Sequence, residues 1–267
     1  MRLSALLLTL FLAATAFAQQ TDDLFVPLVA APRVIVPAAA SAAGANGTFF
    51  RSDLNLINLR NVKQFVQAFW LPQMTTGSAT PIKTFEVPPL TGIGSEDFVA
   101  SSLGLSGLGA IEFVGVNANG TFDPGAQLHV TQRVWTPRPD GAPGTMSQTF
   151  PAIPGGNTTP VTFRSVLGMR RSEQYRLNVG VTNPSNAEQT FHFLIHVVGA
   201  ERTETIQFDL TLPPRSMHQV LVGGTFAGTA QVLVEDVGGG AGEWHTWASS
   251  VDNQSGDAWS QMGVAVS

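Results

Sequence analysis

Along most of the chain apolar residues alternate with polar or small ones, the two-residue period of a half-buried strand. Leu54 and Leu56 alternate in this way, and Val179 and Val181 do so later. Phe-containing runs at 64–71 and 189–198 read as strands, and the same pattern predicts strands over 110–116, 127–135, 230–237 and 244–251. Only 95–103 reads as helical, with Ser95 as the cap and Glu96-Asp97 in the first turn. Asn58-Leu59-Arg60-Asn61 and Asn183-Pro184-Ser185-Asn186 are turns, because Asn tolerates left-handed backbone angles and Pro pre-sets one turn dihedral. Pro88-Pro89 and Pro213-Pro214 cannot donate to a ladder and so end strands. Strands about 8–12 residues apart, with turn signals between them, predict an all-β sandwich or barrel.

The chain also resembles itself. Phe50 to Gln64 aligns without a gap on Tyr175 to Gln189, so that Arg51 meets Arg176, Asn58 meets Asn183, Asn61 meets Asn186 and Gln64 meets Gln189. The same shift carries Pro88-Pro89 onto Pro213-Pro214. Further on, 109–114 resembles 229–234 after a small change in length. Identities at Arg, Asn and Gln are not what shared strand composition produces, and they predict an internal duplication. The turn-forming run 154–159, poor in apolar residues, is the expected linker. The expected organisation is a signal peptide at 1–18, a first β-sandwich unit with an N-terminal extension at 19–153, and a second unit at 160–267. The fold class follows as two tandem immunoglobulin-like β-sandwich units.

The amino terminus sets the compartment. Met1-Arg2 precedes an apolar run from Leu3 to Thr15, and Ala16-Phe17-Ala18 offers the small residues of a cleavage site. The run is shorter than the ~20 residues of a spanning helix. A secreted or periplasmic product with no membrane span in the mature chain is therefore expected. Cysteine is absent, which excludes disulfides, thiolate metal sites and Cys nucleophiles. Charged residues are 12% of the chain, against roughly a quarter in an average domain. With a net charge of −5 and no basic cluster longer than Arg170-Arg171, no nucleic-acid partner is expected.

Three stretches carry a family resemblance: 44–54, 175–184 and 249–257. They are similar to segments of a broad set of uncharacterised secreted bacterial proteins. That resemblance implies tandem β-sandwich modules outside the cytoplasm, and it implies no activity and no catalytic residues.

Several constellations could carry chemistry. His192 and His196 stand four apart, but the alternation of Phe191, Phe193, Ile195 and Val197 makes this a strand. There the imidazoles lie about 13 Å apart, too far for one metal ion. The glycine-rich run 235–245 gathers Glu235, Asp236, Glu243 and His245, and reads as a hairpin loop with solvated charges or as an acid/base or calcium loop. Asp252 to Asp257 reads as a side-chain-stabilised turn, with calcium as the one metal worth testing. Five Trp residues suggest a sugar platform, yet Trp244 and Trp247 are an odd number apart and face opposite sides of a strand. Gly104-Leu105-Ser106-Gly107 lacks the spacing of a nucleophile elbow, and Leu103 to Ala110 lacks the Lys of a phosphate loop.

The sequence thus predicts no catalytic, cofactor-binding or metal site. The expected function is a non-catalytic structural, adhesive or partner-binding module, with a protein or polysaccharide at the cell surface as partner. The alternative is a carbohydrate-binding or carbohydrate-active protein that uses exposed aromatics and the carboxylates Glu235 and Glu243.

Overall fold

The computed structural model describes residues 29–44, 47–138, 140–156, 161–224, 226–238 and 242–266. The expected signal peptide lies outside the described residues. Strands make up 61% of the protein and helix 3%, as the alternating pattern requires. The first half contains β1 (Arg33–Ala43), β2 (Phe49–Asn58), β3 (Gln64–Pro72), β4 (Lys83–Val87), β5 (Gly92–Ser95), β6 (Gly107–Val116), β7 (Leu128–Pro137), β8 (Thr145–Thr149) and β9 (Ile153–Pro154). The second contains β10 (Phe163–Arg171), β11 (Tyr175–Asn183), β12 (Gln189–Val198), β13 (Thr203–Leu212), β14 (Ser216–Val222), β15 (Gly228–Asp236), β16 (His245–Asp252), β17 (Ala258–Met262) and β18 (Val264–Val266). The helical expectation survives as one π-turn, Phe98–Ser102, capped by Asp97 rather than Ser95: the Asp97 side chain accepts from the Ala100 N–H at 3.3 Å.

All strand pairings within the sheets are antiparallel. In the first half one nine-stranded sheet runs β4-β3-β6-β1-β2-β7-β8, with β9 on β1 and β5 on β2. The far end of β1 turns into β2 through Ser41 opposite Arg51, so the sheet folds over onto itself as a half-barrel. In the second half the corresponding turn is tighter, and two sheets result: β13-β12-β15-β10-β18 and β14-β11-β16-β17. Each half encloses its own core. Leu54, Leu56, Val66, Phe98, Ile111 and Phe113 are at the centre of the first, and Val179, Val181, Phe191, Phe193, Val232 and Trp244 at the centre of the second.

Several strand registers recur in the two halves, although the β1–β2 pairing has no counterpart between β10 and β11, which lie in different sheets. Gln64 faces Val87 and Gln189 faces Leu212; Leu54 faces Ser95 and Val179 faces Val220. β1 breaks register against β6 between Val36 and Ala39, and β10 breaks register against β15 between Val166 and Met169. One detail differs from the sequence alignment. Ala39 faces Gly109 and Met169 faces Ala230, so Gly109 corresponds to Ala230 and not to Thr229. A slip of one residue reverses every side chain of a strand, so here the pairings decide and composition does not.

β1 was not legible as a strand. Its sequence Arg-Val-Ile-Val-Pro-Ala-Ala-Ala-Ser-Ala-Ala has weak strand propensity after Val36. It lies buried on both faces from Ile35 to Ala40, between the first core and the second half, so no polar face marks its period.

Candidate functional site at the junction of the two halves

The two halves meet through unlike faces. The outer face of β1, β3 and β6 contributes Ala38, Phe69, Leu71 and Ala110; the outer face of β14, β16 and β17 contributes Met217, Trp247 and Met262. Phe150 packs edge-on against Trp247, with ring centroids 4.7 Å apart. Gly180 in β11 is opposite Trp247 in β16, and a Cβ there would run into the indole. The glycine is what lets the Trp247 ring lie flat on the sheet and reach the first half.

A chain of ionisable groups crosses this junction. Arg33 on β1 pairs through Nε with Glu112 on β6 and through Nη1, at 2.7 Å, with Glu243 Oε2. Arg215 follows β13 in the Pro213-Pro214 turn and places Nη2 2.7 Å from Glu112 Oε2. His245 Nε2 is 3.0 Å from Glu243 Oε1, and the Gly156 N–H donates to the same carboxylate at 3.1 Å. Both glutamates are at most 8% exposed. The formal charges of two guanidinium groups and two carboxylates cancel, and each carboxylate oxygen has a donor, the condition under which buried ions are tolerated. Burial alone would raise the Glu243 carboxyl, but the His245 hydrogen bond, the Arg33 charge and the Gly156 N–H together hold it below the usual range. Burial pushes the His245 imidazole down, and the neighbouring carboxylate does not restore it. A carboxylate only accepts, so the His245 Nε2–H is the donor to Glu243.

Polar contacts complete the junction. Thr182 Oγ1 donates to the Pro37 carbonyl at 3.1 Å, Gln73 Nε2 lies 2.9 Å from His218 Nδ1, and the Met74 N–H donates to the Met217 carbonyl at 3.0 Å. Arg215 also donates to the Ser78 carbonyl and lies over the Phe69 ring at 4.9 Å.

The sequence-derived candidates fall as follows. Glu243 and His245 are not solvated loop charges but members of this buried chain. Glu235 lies on β15, in register with His192 of β12. His192 Nδ1 takes Asp209 at 2.6 Å and His196 Nδ1 takes Thr205 at 3.1 Å, each within its own strand pair. Among the described residues no three metal-ligating side chains converge. Asp252 forms the anticipated turn, its Oδ1 accepting from the Gln254 and Ser255 N–H groups, with Gly256 at φ +74°. Trp244 and Trp247 belong to different cores, as their odd spacing requires, and are fully buried. Trp135 lies between the guanidinium groups of Arg51 and Arg133.

Arg33, Glu112 and Arg215 were missed. Their signal was present: in a chain poor in charge, Glu112 stands alone inside Ala110-Ile111-Glu112-Phe113-Val114, where only a buried counter-ion makes a carboxylate tolerable.

A groove of about 720 Å³ lies elsewhere, on the first half, between β2, β7 and the segments around 29–34 and 149–154. Asp53, Asn55, His129, Thr131 and Arg133 line one wall and Val29, Phe150 and Pro151 the other. Arg133 is already paired with Asp53 at 2.8 Å.

Among the described residues no helix is long and apolar enough to cross a membrane. No protein-family model matches the chain, and no curated protein does. Among solved structures, the crystal structure of Thermotoga maritima 1070 matches 40% of this chain and 97% of its own, at 7% identity and a TM-score of 0.33, a likeness too slight to bear on fold or function.

Proposed function

We propose that this protein works outside the cytoplasm as a non-catalytic structural, adhesive or partner-binding module, made of two tandem immunoglobulin-like β-sandwich units that arose by internal duplication. The observation that carries the functional reading is the state of its buried acids. Glu112 and Glu243, the acids of the junction, are both committed to arginines, a histidine and a backbone N–H that tie one half to the other. A general acid or nucleophile needs a carboxylate that faces substrate. The glycosidase alternative would need Glu235 and Glu243 to share a cleft, and Glu243 is taken up by Arg33, His245 and the Gly156 N–H.

The duplication is supported by chemistry as well as register. Asn58 and Asn183 are both fully buried and bond equivalent groups: Val62 and Ala187 carbonyls, Pro88 and Pro213 carbonyls, Arg60 and Ser185 N–H groups. Leu90 and Arg215 share a left-handed φ of 52° and 51°, rare outside glycine, and donate their N–H groups to the Arg60 and Ser185 carbonyls. Arg51 and Arg176 are matched less closely than the sequence suggested. They meet different side chains, Asp97 at 3.8 Å in one case and Asn253 at 3.0 Å in the other.

The test is to assay the purified mature chain against a panel of chromogenic glycosides and immobilised polysaccharides. No turnover is expected. Turnover that disappears in Glu235→Gln and Glu243→Gln, with melting unchanged, would overturn the reading.

A further inference from the structure

We propose that the protein associates with itself head to tail: the outer β12–β15 face of one copy docks on the outer β2–β5–β7 face of the first half of the next. This deepens the partner-binding reading above and rests on it, with a second copy as the partner.

The junction inside the chain supplies the template for the contact. There the outer face of β3 and β6 receives the outer face of β11, β14 and β16. Among the described residues each half therefore has one face in use and one turned outward, the first half's bordered by the segments around 29–34 and 149–154. The free face of the second half is the counterpart of the used face of the first, because Leu194 opposite Leu233 occupies the register position of Phe69 opposite Glu112. The free face of the first half is likewise the counterpart of the used face of the second, because Asn55 opposite Thr131 occupies the position of Gly180 opposite Trp247.

Two polar side-chain pairs, Arg215 with Glu112 and Gln73 with His218, and a bond from the Thr182 hydroxyl to the Pro37 backbone carbonyl hold the internal junction. At the matching positions stand Leu90 and Leu233, the exposed Val198 with Ile93, which packs against the first core, and Ile57 and Leu167. In all three pairs both members are apolar. A lone solvent-facing substitution would have no reason to change its partner on the opposite end of the chain. Leu90, Val198 and Leu167 are 67%, 53% and 57% exposed.

Sizes are exchanged in the same sense. The used face of the first half is built of small residues, Ala38 and Ala110, and takes the large Met217 and Trp247. The free face of the first half has Gly92 and Thr131 at the positions of Met217 and Trp247, which leaves it flat and grooved. The free face of the second half has Gln231 and Leu233 where the first has Ala110 and Glu112. Large groups again meet a surface of small ones, with the roles reversed. Because the two faces differ, the contact is heterologous and does not close upon a dimer; repeated, it gives an open row of copies.

Sedimentation of the mature full-length chain tests this, with circular dichroism checking the fold of each variant. Wild type is expected to sediment as species that grow with concentration. Leu90→Arg and Leu233→Glu, both at solvent-accessible positions, are each expected to return it to monomer. The double variant Leu90→Arg/Leu233→Glu re-creates between copies the pair that Arg215 and Glu112 make within one, and is expected to restore association. An equimolar mixture of the two single variants should also regain association as alternating rows, since the two substituted ends complement each other and the two unsubstituted ends keep the wild-type contact. A wild type that is monomeric at every concentration overturns the proposal, and so does association that neither single variant disturbs. A monomer that binds a different protein would refute self-association alone, whereas a monomer that hydrolyses glycans would refute the functional reading beneath it.

Discussion

Replacing Asn183 or Asn58 by alanine probes the matched turns directly. Asn183 is fully buried, donates from Nδ2 to the Ala187 carbonyl at 2.8 Å and the Pro213 carbonyl at 3.1 Å, and accepts from the Ser185 N–H at 3.0 Å and the Ser185 hydroxyl at 2.6 Å. Asn58 donates to the Val62 and Pro88 carbonyls at 2.8 and 3.0 Å and accepts from the Arg60 N–H at 2.9 Å. Alanine removes the whole set and leaves backbone groups without partners. Each net bond is worth about 1 kcal/mol, and an orphaned buried group costs about 1–3 kcal/mol. Ala187 is exposed and water can replace part of what is lost there. The expected cost is therefore about 2–3 kcal/mol for either variant, or roughly 5–10 °C in melting temperature for a protein of this size. Urea titration at constant slope measures it. The exposed neighbours Asn61 and Asn186 provide the control, since surface substitutions usually stay within about 0.5 kcal/mol. If Asn58→Ala costs no more than Asn61→Ala, or if the two buried asparagines differ severalfold, the claim that they do the same job in the two halves fails.

Three further outcomes follow from the junction. Glu112→Ala strands Arg215 and half of the Arg33 pairing in a buried site and is expected to cost about 3–5 kcal/mol in a urea titration; a change under 1 kcal/mol would mean that the cluster is hydrated and slack. Gly180→Ala pushes a methyl group into the Trp247 ring and is expected to cost about 1–3 kcal/mol, read as a lower melting temperature, while Asn55→Ala at the matching position leaves it unchanged. Acid should loosen the protein. The folded-state His245 and His218 imidazoles titrate below their unfolded value of about 6.5, so the unfolded chain takes up protons first and stability falls as pH drops below that value. Glu243, also lowered, contributes stability above its unfolded value that is lost at still lower pH. Melting temperatures from pH 7.5 to 5 should therefore decline, and less steeply in His245→Gln; a flat or rising profile would contradict the assignment.

Much of this fold was legible because strands with one wet face announce themselves. β12 carries Phe191, Phe193, Ile195 and Val197 inward and His192 and His196 outward, and its bounds were read to the residue. β11 was readable from Val179 and Val181, although its other face, Asn178, Gly180 and Thr182, is buried against the first half and not wet. That face explains what could not be read. A junction between two halves of one chain uses residues that look like ordinary surface, such as Thr182 and Arg215, and strands such as β1 that look like nothing in particular. The charged chain was hidden for the same reason. Its members come from β1, β6, the turn after β13 and the start of β16, and spacing along the sequence says nothing about such a meeting. The loop holding Glu243 and His245 was noticed for its acids, but only the packing of one half on the other shows where they go.

The most direct measurement of the central claim, that unlike faces of the two halves lock together through Met217, Trp247 and the arginine–glutamate chain, is oxidative footprinting of the folded protein by mass spectrometry. Met74 is 42% exposed, whereas Met217 is 2% exposed and Trp247 is not exposed at all. Thioether oxidation follows access, so Met74 should be modified rapidly while Met217 and Trp247 react only as the protein unfolds, and faster in Glu112→Ala than in wild type. Oxidation of Met217 and Trp247 at the rate of Met74 in the native wild-type protein would mean that the halves do not pack as described.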